Sequence, residues 1–121
     1  MSNNYKKFRD MLPAVASILD LSGAADEIES IKDLGYEEDF DGVYTGKIFF
    51  NMKESQINEV VEELFEALVS EGLMYACFEE GTQIGKFINE DAGFDVIEVF
   101  DDGVICKKIA AGSFNIFNMM C

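Results

Sequence analysis

The chain has 121 residues, 49% of them hydrophobic with eleven Phe, and carries 24 acidic against nine basic side chains for a formal charge of −15. That length fits a single globular domain spanning 1–121, and the apolar content argues against a disordered acidic tail. The charge argues against direct nucleic-acid binding, which needs cations to displace phosphate counterions, and equally against anionic membrane surfaces.

Tyr5 to Leu19 carries Phe8, Met11, Leu12, Val15, Ile18 and Leu19 at helical spacing, with Pro13 expected to kink or break the helix. Lys6, Lys7 and Arg9 hold a third of the basic charge and are expected to lie over the acidic body or to form an N-terminal arm. Asp10 and Asp20 bracket the short apolar run, so no secretory signal is expected. Ser22 is placed to cap a short helix that Gly35 closes. An acidic loop follows, Tyr36 to Gly42, and then Val43 to Phe50 reads as a strand rich in β-formers.

Asn51 to Gly72 is the strongest helical signal. Ile57, Val60, Val61, Leu64, Phe65 and Leu68 make one apolar stripe, with Glu59, Glu62, Glu63 and Glu66 on the opposite face. Asn51 and Glu54 have capping-box spacing, and Gly72 stands where a left-handed stop is expected.

After Gly72 the pattern becomes strands and turns. Leu73 to Glu79 and Gln83 to Ile88 flank Glu80-Gly81 as a hairpin. Phe94 to Asp101 and Val104 to Ala110 flank Asp102-Gly103 as a second. That turn sets Val96 opposite Ile109, Glu98 opposite Lys107 and Phe100 opposite Ile105. Ser113 to Met120 reads as a last strand, apolar on both sides. The expected class is α+β: a mainly antiparallel sheet of five to six strands, with two or three helices packed mainly on one face. Only the step from the Val43 strand across the central helix to the Leu73 strand leaves room for a parallel crossover, which would then be right-handed.

Histidine is absent, which removes Ser-His and Cys-His nucleophile pairs and His-ligated zinc. No C-x-x-C and no glycine-rich phosphate loop occurs. Cys77, Cys106 and Cys121 have no short spacing and fit a reducing, cytoplasmic compartment. Glu37, Asp39, Asp41 and Gly42 imitate the start of a calcium loop, but the twelfth position is Ile48 and a strand follows, so a solvated acidic loop is the better reading. No cofactor or metal is expected.

The acidic helix face carries the functional expectation. No basic residue occurs between Glu54 and Lys86, so Glu59 with Glu63 and Glu62 with Glu66 are like-charge pairs. A helix built for stability mixes its charges; one that meets a basic surface need not. The expected function is therefore a non-enzymatic binding protein that covers and inhibits a basic, nucleic-acid-handling protein, in the manner of immunity or anti-restriction and anti-CRISPR proteins. Glu59, Glu62, Glu63 and Glu66 form the expected contact, with Glu37, Glu38, Asp39 and Asp41 as a second patch. The alternative is an acidic chaperone or homodimeric scaffold that uses the apolar C-terminal segment around Phe114, Phe117, Met119 and Met120. A small carboxylate-based hydrolase is the third reading.

Overall fold

The computed structural model describes residues 3–22 and 39–109. Helix α1 (Asn3–Asp10) is followed by β1 (Ile18–Asp20), β2 (Phe40–Tyr44), α2 (Glu54–Ala67), β3 (Leu68–Cys77), β4 (Phe94–Phe100) and β5 (Gly103–Lys108). Short 3₁₀ turns at Ile84–Lys86 and Glu90–Ala92 lie between β3 and β4. The helix expected after Ser22, the residues Tyr36, Glu37 and Glu38, and the segment Ser113 to Met120 fall outside the described residues.

Pro13 produces a break. A proline ring excludes the preceding residue from helical backbone, so α1 stops before it. Arg9 closes the end by donating to the carbonyls of Pro13 at 3.2 Å and Ala14 at 3.1 Å. Ile18 and Leu19, expected in a helix, instead pair in parallel with Gly42 and Val43.

The five strands lie in the order β1-β2-β3-β5-β4. The α+β class holds, with the sheet mixed: β1, β2 and β3 are mutually parallel, β5 pairs antiparallel with β3, and β4 pairs antiparallel with β5. The helices take opposite faces. Met74, Ala76, Val104 and Cys106 join the core beneath α2, whereas Leu73, Tyr75, Cys77 and Ile105 pack with Phe8 of α1. The unbroken apolar run in Leu73 to Phe78 has this cause, since a strand covered on both faces has no solvent side. Along α2, Ile57, Val60, Val61 and Leu64 are buried as their spacing requires. Each such side chain contributes about 1.5–3 kcal/mol of burial.

Several boundaries differ from expectation. Helix α2 ends at Ala67, five residues before Gly72, and β3 begins without an intervening loop. Its entry is capped two residues late: the Lys53 amide donates to Gln56 Oε1 at 3.0 Å, while Asn51 takes a left-handed φ of 67° and gives its amide to Glu79. The strand expected over Val43 to Phe50 begins at Phe40 and ends at Tyr44, because Ile48 and Phe49 turn inward to the core. Glu80-Gly81 turns the chain but makes no hairpin. Residues beyond it form a 3₁₀ turn that buries Phe87, stacked 6.0 Å from Phe78, which in turn stacks 4.9 Å from Phe49.

The last hairpin forms with its turn one residue earlier, at Asp101-Asp102. Phe100 lies opposite Gly103 and Glu98 opposite Ile105, with a bulge between Val96 and Glu98. Gly103 serves close approach instead of the turn: a Cβ there would stand 2.1 Å from the Ala76 carbonyl oxygen. Glu98 pairs with Lys7 at 2.8 Å, not with Lys107.

Candidate functional site: an acidic groove beside helix α2

The face of α2 that carries Glu62, Glu63 and Glu66 forms one wall of a groove of about 880 Å³. The opposite wall is the stretch Lys86 to Gly93, and Ile109 closes one end. The lining of the groove combines apolar Val61, Phe65, Phe87 and Ala92 with the rim carboxylates Glu62 and Glu66 from α2 and Glu90 and Asp91 from the loop, and with one cation, Lys86. These four rim carboxylates are exposed, and Glu63 is half-buried.

Local chemistry fixes both walls. On the loop side, the Asn89 side chain accepts the Ala92 amide at 2.9 Å, and Gly93 adopts a left-handed φ of 92°. The positive φ favours glycine, and a Cβ at 93 would also stand 2.1 Å from the Phe65 ring. Phe65 meets Phe94 edge-on at 5.6 Å. Beneath it, buried Lys108 donates to the carbonyls of Phe65 at 2.8 Å and Leu68 at 2.7 Å. The ammonium lies 4.3 Å from the Phe65 ring centre, a cation–π contact in addition to the two hydrogen bonds. A cation at this end also complements the negative pole of the helix dipole. At the other end, Lys86 pairs with Glu54 at 3.3 Å.

The expected contact residues separate into three groups. Glu62, Glu63 and Glu66 line the groove; Glu59 is exposed on α2 outside it. Asp39 is exposed but does not line the groove, and Asp41 accepts the Ser17 amide at 3.0 Å, joining β1 to β2. Asp41 thus ties the residue before β1 to β2. Glu37 and Glu38 lie outside the described residues. Glu90 and Asp91, between the expected strands Gln83 to Ile88 and Phe94 to Asp101, were not among the expected contact residues. Their signal was present: Asn89 three residues before Ala92, with Gly93 after it, is the pattern of a capped turn.

No protein-family model matches the chain, and no curated protein sequence matches it. Among solved structures, one described as a crystal structure of SAM-dependent methyltransferases from Methanosarcina mazei is similar over 97% of this chain and 82% of that one, at 10% identity and a TM-score of 0.46. A likeness of that extent carries no argument about activity.

The carboxyl ends of β1, β2 and β3 share one sheet edge, at Asp20, Tyr44 and Cys77. Fully buried Tyr75 donates to the Asp102 carboxylate, 2.7 Å from one oxygen and 2.9 Å from the other. Burial and that hydrogen bond hold the phenol proton well above the usual range. The Cys77 amide donates to Thr45 Oγ1 at 2.9 Å. Burial and the charge of Asp102 push the Cys77 thiol up to about 12, and burial likewise raises Cys106. Both thiols are therefore protonated at neutral pH and poor nucleophiles.

Proposed function

We propose that this chain is a binding protein whose acidic groove covers a basic segment of a nucleic-acid-handling protein partner and so inhibits it. One observation supports the reading: carboxylates from two separate elements, α2 and the loop before β4, line one groove together with apolar side chains. A cleft lined by an excess of one sign focuses the field between low-dielectric walls and raises the local concentration of a cationic partner. The apolar lining gives that partner something to bury, so affinity does not rest on screened charge alone. No step of catalysis is invoked.

The test is retention of partners from the native lysate at about 50 and about 500 mM salt, where screening separates charge-driven from apolar contacts. The Glu62→Lys, Glu66→Lys double variant is run beside the unaltered chain. A basic nuclease or nucleic-acid-binding protein that is retained at low salt and lost by the variant supports the reading. Equal retention by both proteins removes the groove from the mechanism.

A second reading rests on the parallel strands. In open sheets small molecules bind outside the carboxyl ends of such strands, and Asp20 stands exposed at that edge. On this reading the chain binds a small polar ligand there. A thermal-shift panel of nucleosides, sugars and amino acids tests it: a rise abolished by Asp20→Ala supports the site, and a flat response disposes of it.

A further inference from the structure

Strand β4 is one of the two outer strands of the sheet among the described residues, with β1 at the opposite edge. An outer strand presents backbone N–H and C=O groups on the side away from its neighbour, here β5, and those groups can pair with another extended chain. Val96 and Ile97, each 40% exposed, and Val99, 70% exposed, make β4 the main concentration of exposed large apolar side chains in the described structure. Buried positions would be expected for three β-branched residues in a row of four, so their exposure asks for a partner. Charge brackets this apolar centre: exposed Asp95 precedes it and exposed Asp101 follows it.

A second copy of the chain is a poor occupant. Isologous antiparallel pairing of β4 would bring two molecules of charge −15 together with their carboxylates along one seam. A strand with cationic ends and an apolar centre meets the same edge with opposite charges facing and β-branched side chains matched. We propose that the outer edge of β4, unpaired among the described residues, accepts such a segment from a partner protein, which adds a strand to the sheet. This mode is separate from the groove: main-chain pairing gives affinity and the bracketing carboxylates select the sequence. Glu98 is already held by Lys7, so the selecting charges are Asp95 and Asp101.

The probe is a synthetic peptide, Lys-Val-Ile-Val-Ile-Val-Lys, with an equally charged control in which the apolar centre contains proline and cannot form a strand. Binding to the isotope-labelled full chain is followed by amide NMR shifts. The expected result is saturable binding of the first peptide, with shifts centred on residues 95–101, and at least tenfold weaker binding of the proline control. Val99→Lys, a change at an exposed side chain, should weaken the first peptide tenfold or more and leave the melting temperature unaltered. The Glu62→Lys, Glu66→Lys variant should bind it as the parent does. Shifts confined to the groove, equal binding of both peptides, or no binding at all would overturn the proposal. So would a molecular mass that doubles with concentration in the parent and not in Val99→Lys, since the edge would then belong to a second copy. Loss of lysate partners on the groove variant bears on the groove alone, so either idea can fail without the other.

Discussion

Lys108 Nζ lies 2.8 Å from the backbone carbonyl oxygen of Phe65 and 4.3 Å from the centre of its ring. One buried cation on the sheet therefore ends the helix that carries the acidic face, and it anchors an aromatic side chain that lines the groove. Only 4% of Lys108 is exposed, so its charge is compensated by helix carbonyls and an aromatic face instead of water. Lys108→Ala should cost about 2–4 kcal/mol, since it strands two carbonyls and opens a cavity. Lys108→Met, which keeps the aliphatic stem, should recover part of that. Urea unfolding of the two variants checks this, and a loss within error of zero for Lys108→Ala would remove the capping role.

The like charges on α2 have a stability cost that partner binding would explain. Glu66→Lys replaces a repulsive pair with Glu62 by an attractive one and puts a cation in the last turn of the helix. The expected gain is about 0.5–1 kcal/mol at low salt, shrinking as salt rises. Thermal melts in both conditions measure it. A gain in stability together with a loss of partner retention would mark Glu66 as kept for contact.

The two buried thiols set a stability limit at alkaline pH. In the unfolded chain a cysteine ionises near its ordinary value of 9, whereas in the fold burial raises Cys77 to about 12 and also raises Cys106. Above pH 9 the folded state holds more protons than the unfolded one, so stability falls as pH rises. The slope approaches about 1.4 kcal/mol per pH unit for each thiol. Tyr75 is raised in the same direction and adds its share above its ordinary value of 10. Urea midpoints under reducing conditions at about pH 8 and about pH 10 should show the decline, and the Cys77→Ala, Cys106→Ala variant should flatten it. Parallel slopes would mean that other groups carry the effect.

Gly103 and Gly85 make a matched pair. A methyl at 103 meets backbone atoms of Ala76 and Cys77, which cannot yield without parting β3 from β5, whereas a methyl at 85 meets nothing within 4 Å. Gly103→Ala should destabilise by about 2–4 kcal/mol and Gly85→Ala by no more than about 0.5 kcal/mol. Similar melting temperatures for the two would contradict the close packing of the strands.

What the sequence determined by itself was whatever local spacing controls. Ile57, Val60, Val61 and Leu64 of the apolar stripe are buried on α2, Pro13 broke the first helix, and a hairpin formed with its turn one residue before the Asp-Gly pair, each through interactions between near neighbours in the chain. The exposed carboxylates Glu59, Glu62 and Glu66 were legible for the same reason. Tertiary contacts decided the rest. Ile18 and Leu19 left helical spacing because β2, more than twenty residues away, offers them a parallel partner. Helix α2 stopped at Ala67 because Lys108, forty-one residues on, supplies the cation for its end. Glu90 and Asp91 became a rim of the groove because Gly93 lets the loop approach Phe65. Asp41 was drawn out of the expected contact patch by the Ser17 amide. Spacing reports which side chains share a face. Only folding brings a second element against that face, and the groove exists between the two.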